Sequence, residues 1–287
     1  MQAKPLRILV TGSNKGIGYG IIETALDHAK DTPVHMIMST RDIGRGKDAV
    51  AKLQAKHPAC HVDLIQLDVT DAGSVEAALT EIAKSGPVDV LINNAGIFVF
   101  DGDHNTKLQD TINTNYHATK RLTEEFIKRD LIAEGGKIIF VSSQLGKFGK
   151  LAENQPDAFA QLSKYKVDLT QDQLAHWVSQ FETDCIKEGS CKTWETNAMG
   201  PYSQSKLFLS IYAYLIGKSE KVKAKNIQVY TCCPGFCATD LNGHNPNAPK
   251  DYYQGADTPY WLATLRSGID SELQGNFFSD RKLTLLD

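Results

Sequence analysis

The feature of this sequence that most restricts its fold is a glycine-rich turn between an apolar run and a helical pattern. The run Leu6–Val10 leads into residues 11–18, TGSNKGIG, after which apolar residues recur at helical spacing. Gly12 permits a tight turn, whereas Gly16 and Gly18 let the backbone approach a phosphate that the helix N-terminus can bind. The spacing departs from the commoner dinucleotide pattern G-x-G-x-x-G. The flanking strand and helix nevertheless favour a phosphate-binding turn over a glycine turn without a ligand.

Strand-like runs alternate with helical patterns along most of the chain. Beyond the first run, strands are predicted at residues 33–40, 61–67, 88–92, 137–141, 227–232 and 275–279. Helices are predicted, among other places, over residues 106–129, from Tyr202 onwards and over 255–266. Such alternation, without repeats or a change in composition, predicts one domain spanning residues 1–287. Its expected fold is an α/β doubly wound (Rossmann-type), mostly parallel sheet of seven strands with helices on both faces.

Residues 150–195 interrupt this alternation. Pro156 suits the first turn of a helix, and Thr170 with Gln173 forms a capping-box pattern ahead of apolar residues that share one helical face. The segment therefore predicts an inserted pair of amphipathic helices. They could pack on the parent domain or bind a partner chain, and the sequence does not choose between these.

Charge and hydropathy exclude several classes of partner. The chain has 31 Lys and Arg against 34 Asp and Glu, which gives no reason to expect nucleic acid or an anionic membrane. The first apolar run begins at Leu6, too early for a signal peptide, and no apolar stretch approaches the length of a membrane span.

Six cysteines in a chain of 287 residues do not form a disulfide framework. Cys185 and Cys191 lack a convincing set of metal-ligand partners, so no metal is expected. All six are expected to be thiols in a reducing, cytoplasmic setting.

The residues after the second predicted strand bear on the choice of cofactor. A free ribose 2′-hydroxyl favours a carboxylate at this point, whereas a 2′-phosphate favours arginine. Arg41 follows the strand, Arg45 comes one helical turn later, and Lys15 lies in the glycine turn. Because guanidinium groups bind phosphate in a bidentate manner, NADP(H) is favoured over NAD(H). Alternatively, Arg45 only solvates its helix, and Asp42 weakens the interpretation.

Polar residues follow several of the other predicted strands. Asp68 could accept a hydrogen bond from an adenine, while Asp71 more simply caps the next helix. Asn94, Ser143 and Thr239 follow later strands, and ligands of open α/β sheets bind at this edge. Plain turns and helix caps use the same residue types, so these signals are open to both interpretations.

Tyr202 and Lys206 lie four residues apart at the start of a long apolar segment. On a helix they share one face, and a nearby cation would lower the pKa of the phenol from its reference value of about 10. Such a phenol is a usable proton donor. Taken alone, the pattern is better explained by an exposed helical pair.

Taken in order, the glycine turn, Asn94 with its neighbours, Ser143, the pair Tyr202 and Lys206, and the dipeptide Pro234-Gly235 resemble the short-chain dehydrogenase/reductase family. The resemblance runs over nearly the whole chain. The inserted helices, the residues TRDIGRG from position 40 and the residues CCPG from position 232 are similar to the carbonyl reductase branch, whose members use NADPH.

The resemblance implies roles for individual residues. Tyr202 corresponds to the proton donor, Lys206 to the residue that binds the nicotinamide ribose and lowers the tyrosine pKa, and Ser143 to the hydroxyl that orients the carbonyl. Asn115, to which local patterns assign no role, corresponds to the residue that holds a proton-relay water. The candidate substrate contacts are Ser143, Tyr202, Phe98 and Phe236. The candidate cofactor contacts are Gly12, Ser13, Asn14, Lys15, Gly16, Ile17, Gly18, Arg41, Arg45, Asp68, Val69, Asn94, Ala95, Gly96, Tyr202, Lys206, Pro234, Gly235 and Thr239.

The expected function is NADPH-dependent reduction of a ketone, aldehyde or quinone. Apolar residues around the predicted site suit a small hydrophobic carbonyl compound. The insert is expected to cover the usual dimer face of the family, which implies a monomer. Two alternatives stay open: a dedicated biosynthetic ketone reductase of the same family, and a non-catalytic NADPH-binding sensor.

Overall fold

The computed structural model describes residues 4–197, 199–265 and 273–286. Its strands form one sheet in the order β3-β2-β1-β4-β5-β6-β7-β8, in which all neighbours are parallel except β7 and β8. The strands are β1 (Leu6–Val10), β2 (Val34–Thr40), β3 (Val62–Gln66), β4 (Val88–Asn93), β5 (Ile132–Val141), β6 (Gln228–Cys233), β7 (Phe277–Ser279) and β8 (Lys282–Thr284). The predicted doubly wound sheet is confirmed, with one strand more than expected.

Helices cover both faces of the sheet. Those outside the insert are α1 (Gly16–Asp27), α2 (Ile43–Lys56), α3 (Ala72–Lys84), α4 (His104–Ile112), α5 (Thr119–Lys128), α9 (Pro201–Gly217), α10 (Glu220–Ala224), α11 (Tyr252–Gly255) and α12 (Asp257–Thr264). The helix expected over residues 255–266 is divided between α11 and α12, and Arg266 lies outside the described residues.

Alternate residues of the strands enter two apolar cores, one on each face of the sheet. In β1, Leu9 belongs to the core beneath α3, α4, α5, α9 and the insert helix α8 (Gln171–Glu188), whereas Ile8 and Val10 belong to the core beneath α1, α2 and α12. All three side chains are at most 1% exposed. Continuous apolar runs of this kind are typical of parallel strands that are covered on both faces.

The eighth strand depends on a turn that the sequence pattern does not reveal. Asp280 and Arg281 both have positive φ, at 50° and 58°, as in the tight turns that suit the twist of a hairpin. The turn reverses the chain and pairs β8 antiparallel with β7.

The predicted helix over residues 106–129 is the continuous run from α4 to α5. Between the two lies a π-helical segment, Asn113–Ala118, which we call the π segment. Single π turns inside helices are frequent at functional sites.

The insert consists of α6 (Leu151–Asn154), α7 (Pro156–Leu162) and α8 (Gln171–Glu188). Pro156 begins α7, and Thr170 and Gln173 form the predicted capping box. Helix α8 packs against α4 and α9, where the Phe181 ring lies 5.6 Å from that of Phe208. The insert therefore packs on the parent sheet and its helices.

The expectation that all six cysteines are thiols is wrong. Cys185 and Cys191 form a disulfide, because Gly189 ends α8 in the left-handed conformation and turns the chain back on itself. The two Cα atoms are 4.6 Å apart, within disulfide range. Cys60, Cys232, Cys233 and Cys237 are free.

Candidate active site

A cleft of about 390 Å³ opens where β1, β4 and α9 meet, at the carboxyl ends of the strands. This is the crevice where the strand order reverses, the usual ligand site of doubly wound sheets. The cleft is lined by most of the residues predicted from the sequence: Gly12, Asn14, Lys15, Gly16, Ile17, Arg41, Asp68, Val69, Asn94, Ala95, Gly96, Phe98, Tyr202, Lys206, Pro234 and Thr239.

The glycine turn is locked against the end of β4. Gly12 and Gly16 have positive φ, at 59° and 57°, and a Cβ added to Gly12 would lie 3.0 Å from the Cα of Ala95. The Asn94 side-chain amide donates to the carbonyls of Thr11 and Gly12, at 2.8 and 3.1 Å. The Thr11 hydroxyl in turn accepts from two backbone N–H groups of the β4 end. The sequence motif contains Thr11 but assigned it no role.

Two of the predicted cofactor contacts are internal to this turn and do not line the cleft. Ser13 is fully buried, and its hydroxyl donates to the Val10 carbonyl at 2.8 Å and accepts from the Ser39 N–H at 3.1 Å. Gly18 lets α1 approach the sheet, because a Cβ there would lie 2.5 Å from the Asn94 side-chain nitrogen. Both positions support the turn that faces the cleft.

The cations at the open end of the cleft are arranged around the start of α2. Lys15 forms an ion pair with Asp240 at 3.2 Å, and Arg45 forms one with Asp42 at 3.3 Å. Asp42 also caps α2 by accepting from the Arg45 N–H. Arg41 lines the cleft, whereas Arg45 lines a neighbouring groove.

The two carboxylates after β3 have different positions, one in the cleft and the other at the start of a helix. Asp68 lines the cleft and accepts from the N–H and hydroxyl of Thr70, at 2.9 and 2.6 Å. Asp71 caps α3 by accepting from the Ser74 N–H.

Tyr202 lies in the first turn of α9 with Ser143 and Lys206 around it. The Ser143 side chain lies beside the Tyr202 phenol and acts to lower its pKa. The Lys206 ammonium lies 5.7 Å from the centroid of the Tyr202 ring and donates to the Val141 carbonyl at 2.9 Å. The preceding serine, Ser142, instead holds α9 to β5 by donating to the Lys206 carbonyl.

The prediction that Lys206 lowers the pKa of Tyr202 is wrong, because the pKa of this phenol is raised. Burial raises the pKa of Tyr202, the nearby Cys233 adds to the rise, and the Ser143 side chain opposes it. Burial also lowers the pKa of Lys206 to about 8. Removal from water disfavours the charged form of both groups and is the largest cause of both pKa shifts.

Asn115 lies in the π segment, fully buried, and its amide makes three hydrogen bonds. Its side-chain oxygen accepts from the Ile97 N–H at 2.8 Å, and its nitrogen donates to the Ile97 carbonyl and the Ser205 hydroxyl. A Cβ added to Gly96 would lie 3.2 Å from that oxygen and 3.4 Å from the Lys206 ammonium. The amide and the ammonium therefore lie on the same side of the cleft.

Phe98 and Phe236, the two predicted substrate contacts, differ in position. Phe98 lines the cleft, 5.3 Å ring to ring from Tyr202 and 4.6 Å from Phe100. Phe236 is 49% exposed and does not line the cleft, and neither does Gly235. Cys237 is buried, and burial raises the pKa of its thiol to about 11.

Comparison with known proteins agrees with this fold. A model of the short chain dehydrogenase family matches residues 7–154. The chain belongs to this family.

Its curated relatives narrow the class to the branch that the sequence motifs resemble. Carbonyl reductase (NADPH) 1 of Sus scrofa is 32% identical, covering 96% of this chain and 92% of its own. Carbonyl reductase (NADPH) 3 of Homo sapiens is 30% identical, covering 95% of each chain. The resemblance to the carbonyl reductase branch is confirmed.

Solved structures share the fold over almost the whole chain. Salutaridine reductase from Papaver somniferum superposes with a TM-score of 0.80 at 24% identity, covering 96% of this chain and 99% of its own. The NADPH-bound carbonyl reductase from chicken fatty liver gives 0.64 at 20% identity, covering 99% and 95%.

Proposed function

We propose that this protein is an NADPH-dependent carbonyl reductase that converts a ketone, aldehyde or quinone to the alcohol. The observation that carries the proposal is the Tyr202 phenol, with the Ser143 side chain beside it, in the same cleft as the glycine turn and Lys206. A phosphate-binding turn and a proton donor are the two parts that such a reductase requires. The relatives named as carbonyl reductases support the same reaction.

The residues of the cleft fit a dinucleotide with a 2′-phosphate. The first turn of α1 begins after Lys15 without a side-chain cap, so its N–H groups are available to a pyrophosphate. Gly12 allows that turn to lie directly against the end of β4. Arg41 and Lys15 would bind the 2′-phosphate, Asp68 the adenine, and Lys206 the nicotinamide ribose. When bound, the reduced nicotinamide supplies the hydride for the carbonyl carbon.

The protein side chains then handle the oxygen of the substrate. Ser143 donates a hydrogen bond to the carbonyl oxygen, and Tyr202 donates its proton as negative charge develops there. Because burial raises its pKa, Tyr202 is fully protonated at neutral pH and therefore carries the proton that it donates. Lys206, charged below about pH 8, returns a proton to Tyr202 through a water held near Asn115.

The variant Tyr202→Phe tests this proposal. We expect turnover to fall by roughly 10²–10⁴, the usual contribution of a positioned acid, while NADPH still binds. Tyr212→Phe is the matched control on the same helix, because the Tyr212 hydroxyl is buried and has no hydrogen-bond partner among the described residues. Turnover near that of the wild type in Tyr202→Phe would remove Tyr202 from the mechanism. No contact of the described residues favours a dedicated biosynthetic reductase or a non-catalytic sensor.

The molecule is also proposed to be a monomeric, single NADP-binding domain with its insertion at about residues 150–195. The packing of α8 on α4 and α9 supports both statements, since the insert shares the core of the sheet. A cytoplasmic location stays a prediction. The Cys185–Cys191 disulfide is unusual for that compartment, so thiol labelling of the protein in cells would test it.

A further inference from the structure

A second concave region adjoins the cofactor cleft. This groove, of about 510 Å³, shares Asn14, Lys15, Gly16 and Asp240 with the cleft. Its other wall is one face of α2 together with two tyrosines, made up of Tyr19, Arg45, Asp48, Ala49, Lys52 and Tyr252. The groove and the cleft therefore meet at Lys15.

The spacing of Arg45 and Lys52 brings both cations to the same groove. The two residues are seven positions apart on α2, which is two turns, so their side chains leave the same face about 10 Å apart along the axis. Side chains on a helix lean towards its N-terminus. Lys52 is thereby directed towards Arg45 and the end of β2, where a 2′-phosphate would lie.

The cations of this region differ in whether a carboxylate already neutralises them. Lys15 is paired with Asp240, and Arg45 is paired with Asp42. Within residues 4–197, 199–265 and 273–286, Lys52 forms no ion pair. Its charge is available to an anion that enters the groove, where it is reduced by the Asp48 carboxylate one turn earlier on the same face and screened by solvent and salt.

We propose that Lys52 is a specificity-determining residue that attracts the 2′-phosphate of NADPH at the junction of the groove and the cleft. The inference rests on the proposed function, because it assumes that the cleft binds this cofactor. It adds a cation that the motif after β2 does not contain. The contribution is electrostatic, so it should favour NADPH over NADH and weaken as salt is added.

The test is fluorescence titration of NADPH and NADH, without a carbonyl substrate, for the wild type, Lys52→Gln and Lys47→Gln. Lys47 is the matched control, since it is exposed on α2 but does not line the groove. At low ionic strength we expect Lys52→Gln to weaken NADPH binding about two- to fivefold, the effect of one partly exposed ion pair. NADH binding should be unchanged, and Lys47→Gln should match the wild type for both cofactors.

Three other results are informative. Equal loss of NADPH and NADH affinity in Lys52→Gln, or no loss of either, would overturn the role of Lys52. The same would follow if Lys47→Gln weakened NADPH binding as much as Lys52→Gln. A wild-type protein that binds neither cofactor would instead contradict the proposed function itself.

Discussion

Lys206 is a buried ammonium that the protein does not neutralise. It is 5% exposed, donates to the Val141 carbonyl, and has no carboxylate partner within the residues that the structure describes. Burial is therefore the dominant influence and lowers the pKa of Lys206 to about 8. Unlike an ordinary surface lysine, Lys206 therefore titrates close to neutral pH.

This titration predicts a pH profile for catalysis. The charged form of Lys206 predominates below about pH 8, so kcat/KM for NADPH should be constant below that pH and fall as pH rises through it. Tyr202 does not contribute to this limb, because its pKa is raised above its usual value. Steady-state rates between pH 6 and 10 measure the effect. In Lys206→Arg, which stays charged throughout, the residual activity should lose the limb near pH 8. A wild-type profile that is flat to pH 10 would contradict the assignment.

Gly18 is needed for close packing more than for conformational freedom. In Gly18→Ala the new methyl group would lie 2.5 Å from the Asn94 amide nitrogen and 2.7 Å from the Cα of Ser13. We expect a loss of about 1–3 kcal/mol in the free energy of unfolding, together with weaker NADPH binding. Urea denaturation and cofactor titration are the measurements.

Gly73→Ala is the control for this substitution. Gly73 also lies in a helix, but the nearest atom to an added Cβ is 3.4 Å away, so alanine should stabilise α3 by up to about 1 kcal/mol. If both variants behaved alike, the contact between α1 and Asn94 would not be the cause.

The spacing of residues in the sequence predicted well which residues lie near the site. It predicted less well which of their side chains face the cleft. Fourteen of the sixteen candidate residues that line the cleft follow strands whose carboxyl ends meet at one edge, whereas Tyr202 and Lys206 reach it from the first turns of α9. Ser13, Arg45 and Phe236 follow the same strands, but their side chains turn inwards, into the groove or outwards. Asn115 carried no local signal, since its position depends on the π segment, which has no sequence signature.

At the scale of elements, α8 packs on α4 and α9 and shields their apolar side chains from solvent. Phe181 of α8 is fully buried. Its ring lies 5.6 Å from the ring of Trp194, which precedes α9, and 5.6 Å from the ring of Phe208 in α9. The ring nitrogen Nε2 of His117 in the π segment adds a hydrogen bond to the Glu182 carboxylate at 3.1 Å. The insert is therefore held by apolar packing, with polar contacts at its margin.

Phe181→Ala should accordingly destabilise the whole protein. Removing a fully buried phenylalanine costs about 3–5 kcal/mol in the free energy of unfolding. Ile186→Ala on the same helix is the control, because Ile186 is 45% exposed and its truncation should cost much less. The comparison can be made by urea denaturation followed by circular dichroism. Equal, small losses in the two variants would mean that α8 packs only loosely on the parent helices.

Local chemistry explains which elements could be read from the sequence. The capping box at Thr170 and the proline at the start of α7 are determined by neighbouring residues, and both were predicted. The eighth strand was not predicted, and the Cys185–Cys191 disulfide contradicts the expectation that all six cysteines are thiols. Each depends on a left-handed turn that ordinary residue patterns do not specify, at Asp280 and Arg281 or at Gly189.

At the scale of the whole molecule, the strand order positions the start of α9, and the insert helps to cover the rest of that helix. The order of β1, β4 and β5 brings the start of α9 to the crevice, so Tyr202 faces the cleft. The remainder of α9 is buried from Ser203 to Gly217, partly by α8. A helix that is apolar around most of its surface is stable only when it is covered in this way.

That coverage predicts the oligomeric state. Because α9 is already buried from Ser203 to Gly217 within the described part of one chain, it presents no apolar face to a second copy. Light scattering coupled to size-exclusion chromatography should therefore give the mass of one chain, independent of concentration. The mass of two chains would contradict the prediction. Ile186→Glu would then test the outer face of α8, because a charge at a contact on that face should restore the monomer.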